Sequence, residues 1–358
     1  NAPIEDARLD RTDVRFMDVN GDNLPDIIMA NGANAWRVWR NTGTSWSTQY
    51  ETWGDIGSYG GDLNLNNNRV ALIDVTGDGL PDIVNTWWNA QQEWRIFRNL
   101  GDRWNGSPEV WAYGSPGQGL DDPAVRVIDV NGDGLADIVK TTYNGTRATW
   151  EVWKNTGSNW KTQSEKWIDN ADIDAHVEKN NVTLSDVNGD GLIDIIKVLD
   201  MGLNDKWQIL LNKGNSWSTQ WETWIDQSAN MDVDFEGESN VRVSDVTGDG
   251  LPDLIKTDYN GGRDTWKVWE NNGYAPDILS KVTTSQGGTI SFEYTPSTKF
   301  PNAGSDNLPD LPFALWLVQK MTTNNGMSGV HNTDDTTTYS YKNGLYHSQQ
   351  KEFRGFGE

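Results

Sequence analysis

The chain has 358 residues and a formal net charge of −23, from 29 basic and 52 acidic residues. So acidic a chain lacks the basic surface through which nucleic acids and anionic membranes are bound. It has no cysteine, which excludes disulfides, thiol nucleophiles and cysteine-based zinc sites, and its 20 Trp, 10 Tyr and 8 Phe exclude an acidic disordered chain.

Five copies of one unit organise most of the chain. The first Asp of each copy follows the previous one by 56, 55, 57 and 59 residues, and such repetition is typical of arrays of supersecondary units. Each copy begins with a short apolar stretch, as at residues 14–17 and 125–128. A nine-residue Asp-rich loop and a second apolar stretch follow. Short apolar stretches bounded by Gly and Asn predict β-strands.

A third stretch in every copy alternates aromatic and polar residues and predicts a strand with one buried face. These stretches are residues 36–39, 94–97, 150–153, 207–210 and 266–269. A turn containing Asn and Gly comes next, as at 41–43, 155–157 and 212–214. In four copies a fourth strand is predicted to end at a Trp, namely Trp53, Trp111, Trp167 and Trp224. We expect the third-strand aromatics to fill the layers between neighbouring sheets.

Four short strands per copy predict an all-β protein: a β-propeller with about five four-stranded blades, followed by a C-terminal β-rich segment. We assign the propeller to residues 12–273 and the β-rich segment to 274–358. The fifth copy has no Trp-ended fourth strand, so a flanking segment is expected to complete it. A sixth blade without the motif, formed partly by the tail, is the alternative blade count.

Each Asp-rich loop has carboxylates at positions 1, 5 and 9, Asn or Thr at position 3, and Leu at position 7, which can offer only its backbone carbonyl. This all-oxygen set suits Ca²⁺ better than Mg²⁺ or a softer metal. We therefore predict about five Ca²⁺ ions, one per repeat loop, with a structural role. The candidate ligands are Asp18, Asn20, Asp22, Leu24 and Asp26; Asp74, Thr76, Asp78, Leu80 and Asp82; Asp129, Asn131, Asp133, Leu135 and Asp137; Asp186, Asn188, Asp190, Leu192 and Asp194; and Asp245, Thr247, Asp249, Leu251 and Asp253.

The glycines at positions 4 and 6 of the loops are predicted to have positive φ, which lets the chain curl around an ion. Loop one has Asn23 at position 6, the next most tolerant residue for that conformation. An EF-hand is excluded, because it needs Glu at position 12 and flanking helices. The competing explanation is that the loops are ordinary Asp/Asn/Gly turns, which five equal copies disfavour.

The pattern Asp-x-Asn/Thr-Gly-Asp-Gly-x-x-Asp, followed by apolar residues, resembles the FG-GAP or VCBS repeat of integrin-α-like propellers, which implies calcium in each loop. The repeat stops after residue 273. Residues 288–300, 311–313, 337–346 and 352–358 resemble the segment that joins such a propeller to Rhs/YD repeats in large secreted bacterial proteins. Those proteins include SpvB-like proteins and the B component of Tc insecticidal toxins.

The resemblance implies a secreted, extracellular bacterial protein in which this segment is a non-enzymatic interaction or shell module for assembly or docking. The implied partner is another protein or the rest of a larger Rhs-type chain. Because Asn1 is not a natural start and no signal peptide follows it, we expect a longer parent protein. No apolar run reaches the ~20 residues of a membrane span, so we predict no membrane insertion by this segment.

Two other functions remain as alternatives. Tryptophans stack on sugar rings, so a carbohydrate-binding, lectin-like propeller is the rival hypothesis, with glycans as partners and Trp87, Trp88 and Trp221 as the candidates outside the repeat pattern. Packing of the repeated tryptophans in the core is the simpler explanation. A hydrolase is disfavoured, because the three histidines have no nucleophile or acid at a telling spacing, and we predict no catalytic residue.

Overall fold

The computed structural model describes residues 7–8, 10–22, 24–30, 35–55, 63–87, 92–113, 119–145, 147–170, 173–199, 205–226, 241–259, 264–271, 278–301, 311, 314–327, 329, 333–347 and 352–357. Within these residues the regular secondary structure is β-strand, apart from one 3-10 turn at Ser297–Lys299. The predicted all-β, blade-like architecture is confirmed.

Repeats one to four each form a four-stranded antiparallel sheet whose strands pair in chain order, as expected of a propeller blade. The strands of repeat one are β1 (Val14–Met17), β2 (Asp26–Ala30), β3 (Ala35–Trp39) and β4 (Glu51–Asp55). Those of repeat two are β5 (Val70–Ile73), β6 (Asp82–Trp87), β7 (Glu93–Phe97) and β8 (Glu109–Tyr113). Those of repeat three are β9 (Val125–Ile128), β10 (Asp137–Tyr143), β11 (Ala148–Trp153) and β12 (Glu165–Asn170). Those of repeat four are β13 (Val182–Ser185), β14 (Asp194–Leu199), β15 (Lys206–Leu210) and β16 (Glu222–Asp226).

The fourth strands extend beyond the Trp residues at which they were predicted to end. In repeat two, Trp111 is the middle residue of β8, and Ala112 and Tyr113 continue the pairing with Trp94 and Glu93. A β-bulge next to Trp94 allows this, because the shift in register keeps both strands paired past the large side chain. Repeats three and four have the same irregularity beside Trp150 and Trp207.

Repeat five forms a sheet of three strands, β17 (Val241–Ser244), β18 (Asp253–Tyr259) and β19 (Asp264–Trp269). In the part of the chain that the structure describes, no fourth strand pairs with β19, so the strand that a flanking segment was expected to supply is not seen there. The prediction that third-strand aromatics lie between sheets is wrong here, since Trp266 is 72% exposed. The reason is that β19 lacks the neighbouring strand that covers this face in the other repeats.

The C-terminal region forms a further four-stranded antiparallel sheet without the Asp motif, and a hairpin. The sheet consists of β20 (Lys281–Thr283), β21 (Thr289–Pro296), β22 (Trp316–Asn324) and β23 (Asp334–Thr338), and the hairpin of β24 (Gly344–His347) and β25 (Glu352–Phe356). A motif-free sheet of four strands is therefore present in the tail, and its role as a sixth blade stays a prediction. No helix among the described residues is long and apolar enough to cross a membrane.

Backbone contacts divide the chain into two compact units. The first comprises Asn1–Thr183, Ile195–Leu199 and Lys206–Asp226, and the second Leu184–Asp194, Asp200–Asp205 and Gln227–Glu358. The predicted boundary between residues 273 and 274 falls within 272–277, outside the described residues. That domain boundary stays a prediction.

Tryptophan triads form the core of the first compact unit. Each triad combines the Trp of a third strand, the Trp of the adjacent fourth strand and a Trp that follows the Asn-Gly turn of the next repeat. The ring of Trp104 lies 4.7 Å from that of Trp36 and 5.1 Å from that of Trp53. Two further triads repeat this arrangement: Trp94, Trp111 and Trp160, and Trp150, Trp167 and Trp217. The third-strand aromatics of these repeats therefore fill the layers between sheets, as predicted.

Candidate functional site

The five Asp-rich loops each connect the first and second strands of a repeat. Position 1 follows the end of the first strand, and position 9 is the first residue of the second, as Asp82 is for β6. The strands are paired up to the loop, for example Ile73 with Asp82. The sheet therefore holds both ends of each loop at a fixed separation, and the loop spans a single strand-to-strand turn.

The loop glycines have the backbone conformation that the sequence predicted. At position 4, φ is 78° for Gly21 and 75° for Gly77, and at position 6 it is 79° for Gly79 and 81° for Gly134. Residues other than Gly rarely adopt these backbone angles without strain. Asn23, the substitute in loop one, lies outside the described residues.

The carboxylates at positions 1 and 5 organise the loop backbone. In loop three, Asp129 Oδ1 accepts a hydrogen bond from Gly132 N at 2.8 Å and Oδ2 accepts one from Gly134 N at 2.8 Å. Asp133 Oδ1 accepts from Leu135 N at 2.9 Å. The position 5 bond recurs in all five loops. Asp129 Oδ1 also accepts from Asn131 N at 3.1 Å, but Asp129 Oδ2 and Asp133 Oδ1 each accept a single N–H and keep a lone pair that could bind a cation.

The position 9 carboxylates are fully buried and bind the strand ends together. Asp137 Oδ1 accepts from Asn155 N at 2.7 Å and Oδ2 accepts from Val130 N at 3.3 Å. Burial, with a smaller effect of the negative charges at positions 5 and 1 of the same loops, raises the pKa of Asp82 and of Asp137 to about 6 despite their backbone hydrogen bonds. Burial also raises the pKa of Asp26. These buried acids therefore lie in loops where negative charge is already crowded.

The predicted ligands share each loop, but they do not form a closed metal cage. Among the described residues, no group of three or more His, Asp or Glu side chains lies in an arrangement that could hold a metal ion. The candidate ligands nevertheless suit a hard cation, because each would coordinate it through an oxygen atom. The loop glycines also allow the backbone to curl closely around an ion. In loop five, Thr247 Oγ1 is buried and has no hydrogen-bond partner. This buried hydroxyl oxygen is suited to act as the position 3 ligand of a cation.

A recurrent asparagine connects successive repeats. The sequence pattern had indicated only a turn at this position. Asn155 Nδ2 donates to Ala136 O in its own repeat at 3.0 Å and to Val75 O in the preceding loop at 2.8 Å. Asn99 and Asn212 reach back to Val19 O and Val130 O in the same way. The signal was the nearly constant spacing: Asn99 lies 17 residues after the position 9 Asp of its repeat, and Asn155 and Asn212 each lie 18 residues after theirs. We call these residues the clasp asparagines.

Replacing Asn155 with Ala is expected to lower the free energy of unfolding by about 1–3 kcal/mol, because the buried Val75 O loses the Asn155 donor and Ala136 O keeps only that of Trp160 Nε1. Urea denaturation followed by tryptophan fluorescence measures this. The matched control is Asn41→Ala, since Asn41 Nδ2 donates to Pro25 O at an exposed position. An equal loss of unfolding free energy in the two variants would contradict a stabilising role for the bond between Asn155 and the preceding repeat.

Other residues singled out from the sequence fall into structural roles. Arg40 pairs with Glu51 at 2.9 Å and Arg98 with Glu109 at 2.7 Å, which agrees with paired arginines rather than a nucleic-acid track. His176 lies 3.1 Å from Glu178 and its ring stacks on Tyr143. The side chains of Trp87, Trp88 and His331 lie outside the described residues.

The lectin hypothesis gains no support from the third-strand tryptophans of repeats one to four. Trp36, Trp94, Trp150 and Trp207 are at most 2% exposed, so their faces are not open to a sugar. Trp221, one of the three candidates, is half-buried, with Lys197 Nζ 5.8 Å from its ring centre.

Two family models match the chain. The FG-GAP-like repeat matches residues 18–85, 74–140 and 186–255, and the model described as insecticide toxin TcdB middle/N-terminal region matches residues 221–358. A curated relative, the T-cell immunomodulatory protein homolog of Plasmodium falciparum (isolate 3D7), is 26% identical over 141 residues, which are 35% of this chain and 18% of the relative.

Solved structures of Tc toxins share the fold. A Tc holotoxin pore from Photorhabdus luminescens matches with a TM-score of 0.65 and 21% identity, over 97% of this chain and 16% of that one. The crystal structure of TcdB2–TccC3 matches with a TM-score of 0.51 and 20% identity, over 98% of this chain and 19% of that one. The chain thus spans less than a fifth of the length of these proteins. The repeats, their blade-like sheets and the toxin-family match of the C-terminal part together show that the chain belongs to the FG-GAP-like repeat proteins and is related to the Tc toxins.

Proposed function

We propose that this chain is a non-enzymatic, calcium-stabilised interaction or shell module of a secreted, Tc-toxin-like bacterial protein, where it mediates assembly or docking. The observation that carries the assembly role is the fold likeness to Tc toxin chains over 97% of its length. The similar structures are those of a Tc holotoxin pore and of TcdB2–TccC3, in which the matching chains are several times longer than this one. The proposed location is extracellular, by relation to an insecticidal toxin family.

Calcium is proposed as the cation from the chemistry of the loops. Asp129 and Asp133, with the oxygen of Asn131 between them, supply carboxylate and amide oxygens on one tight turn. When bound, the ion would supply positive charge that offsets the repulsion between carboxylates. The chain's own residues do the positioning: the glycine N–H groups orient the position 1 carboxylate, and the leucine N–H orients that at position 5. The role is structural, because the position 9 acids are buried and bonded to strand ends.

Substituting one ligand residue in a single loop tests how many calcium ions the chain binds. Asp133→Asn is expected to remove one calcium site and leave about four, because the other loops are separate in sequence. Isothermal titration with CaCl₂, or metal analysis after gel filtration, measures the number of bound ions per chain. An unchanged count, or no calcium bound to the unsubstituted chain, would contradict the assignment.

The assembly role has its own experiment. Co-expression with a TccC3-type chain followed by size-exclusion chromatography is expected to yield a joint peak in calcium-containing buffer. Separate elution of the two chains would count against docking to this class of partner. A catalytic role is tested independently, since turnover of a glycoside or peptide substrate by the purified chain would overturn the non-enzymatic assignment.

A further inference from the structure

The position 4 glycine of the fifth Asp-rich loop is covered differently from those of loops one and two. In loops one and two, the position 4 glycine is covered by a Leu of the following loop: a Cβ on Gly21 would lie 3.2 Å from Leu80 Cδ2, and one on Gly77 would lie 2.7 Å from Leu135 Cδ2. Repeat five is the last copy of the motif, so no further loop Leu follows it. In loop five, a residue outside the motif copies covers the position 4 glycine.

The C-terminal sheet supplies the cover. The short turn Ser297–Lys299 connects β21 towards β22, and its Thr298 donates a hydrogen bond from Oγ1 to the carbonyl oxygen of Gly248. The methyl group of Thr298 also covers the glycine, since a Cβ on Gly248 would lie 3.4 Å from Thr298 Cγ2. Thr298 thus occupies the place that a Leu of the next loop takes in repeats one and two.

Position 6 of loop five is covered as well. A Cβ on Gly250 would meet Ala314 Cβ at 3.3 Å, whereas one on Gly134 or Gly191, the equivalent residues of loops three and four, would have no atom within 4 Å. Leu251, at position 7, is 1% exposed, while the other four loop leucines are only half-buried. Loop five is therefore covered on both glycines, where loops three and four are open at position 6.

The covering segment is itself fixed to its sheet. Ser297 N donates to Leu315 O at 2.7 Å, Leu315 N donates to Ser297 Oγ at 3.0 Å, and Ser297 is 1% exposed. These bonds join the end of β21 to the start of β22. A shift of Thr298 away from loop five would therefore have to move this part of the sheet.

We propose that Thr298 is a positioning residue for the fifth cation loop, and that it couples calcium binding in this loop to the order of the C-terminal sheet. This inference rests on the proposed calcium binding. Asp245 accepts from the backbone N–H groups of Gly248 and Gly250, at 2.7 and 2.8 Å, so the residue that would hold the ion also orients the two glycines that the C-terminal segment covers. By linkage, an ion that orders this turn stabilises the Thr298 contact, and the contact in turn favours the bound ion to the same degree.

Hydrogen exchange of the full chain, read by mass spectrometry on peptides from β21 and β22, tests the coupling. Calcium is expected to raise protection in these strands. Thr298→Val keeps the shape and removes the hydroxyl, and is expected to reduce the calcium-dependent gain by roughly five-fold, the effect of one hydrogen bond. Thr298→Ser, which retains the hydroxyl, is expected to keep most of the gain.

Matched loop variants separate this inference from the calcium assignment. Asp249→Asn in loop five is expected to abolish the calcium-dependent protection of β21 and β22, whereas Asp133→Asn, at the same position of loop three, is expected to leave it intact. If calcium titration shows no binding to the unsubstituted chain, the proposed function fails. If calcium binds but Asp249→Asn and Asp133→Asn have equal effects on exchange in β21 and β22, the coupling fails and the calcium assignment stands. The same conclusion follows if the Thr298→Val variant exchanges like the unsubstituted chain.

Discussion

Removal of calcium with EDTA is expected to lower the melting temperature of the chain by far more than any single loop substitution. Each occupied loop would stabilise the folded state by about 1.4 kcal/mol when free calcium is about ten times the dissociation constant, and the contributions of the loops would add. Extracellular calcium modules commonly have dissociation constants of roughly 10⁻⁴–10⁻³ M, so millimolar calcium is needed to fill them. Without ions, the three carboxylates of each loop repel one another. In loop two, for example, the negative charges of Asp78 and Asp74 contribute to the raised pKa of the buried Asp82.

Differential scanning fluorimetry or calorimetry in EDTA and in several millimolar CaCl₂ measures this shift. MgCl₂ at the same concentration is the matched control for ionic strength, and it should stabilise less, because Mg²⁺ requires tighter octahedral geometry. The chain has two compact units, so two transitions are expected, and calcium should move both, since each unit contains Asp-rich loops. Superimposable melting curves in EDTA and calcium would refute a stabilising role for the ion.

Replacing Trp104 with Ala is the second change with a large expected effect, a loss of about 3–5 kcal/mol of unfolding free energy. Trp104 is 1% exposed, and its ring packs against Trp36 and Trp53 of the preceding repeat. Truncation to Ala would leave a cavity between two sheets, because both other members of the triad belong to rigid strands. Urea denaturation of the chain in calcium measures the loss.

Trp46 supplies a matched control, because it occupies the same place in repeat one and is 37% exposed. Trp46→Ala is expected to lower stability by no more than about 1.5 kcal/mol, since far less apolar area is uncovered. Trp104→Phe should retain much of the packing; the indole nitrogen of Trp104 is buried and has no hydrogen-bond partner to lose. Similar losses in Trp46→Ala and Trp104→Ala would show that the triad does not hold the sheets together.

The repeat and its local geometry could be predicted from the sequence. Gly77 and Gly79 have the positive φ expected of them, and Trp94 and Phe97 lie on the predicted third strand with buried side chains. These properties depend on residues close together in the chain: alternation at a period of two, and glycine where no Cβ is tolerated. The family resemblance followed from the same local pattern.

Contacts between repeats could not be predicted, because they depend on how one sheet stacks on the next. Nothing in the pattern Asn-x-Gly shows that Asn155 would reach Val75, 80 residues earlier, or that Trp104 would insert between Trp36 and Trp53. The exposure of Trp266 was equally hidden, since Trp266 matches Trp36 in sequence position and differs only in what lies beside its strand.

The sequence by itself determined the number of motif copies, the order of the strands within each and the all-oxygen chemistry of the loops, because each of these is encoded within one repeat. Tertiary structure decided which aromatic faces are covered, which asparagines join neighbouring repeats, and that Thr298, rather than a loop leucine, covers the fifth loop. The physical reason is that burial and side-chain hydrogen bonding belong to pairs of elements, and the partner of each element is known only once the sheets have packed.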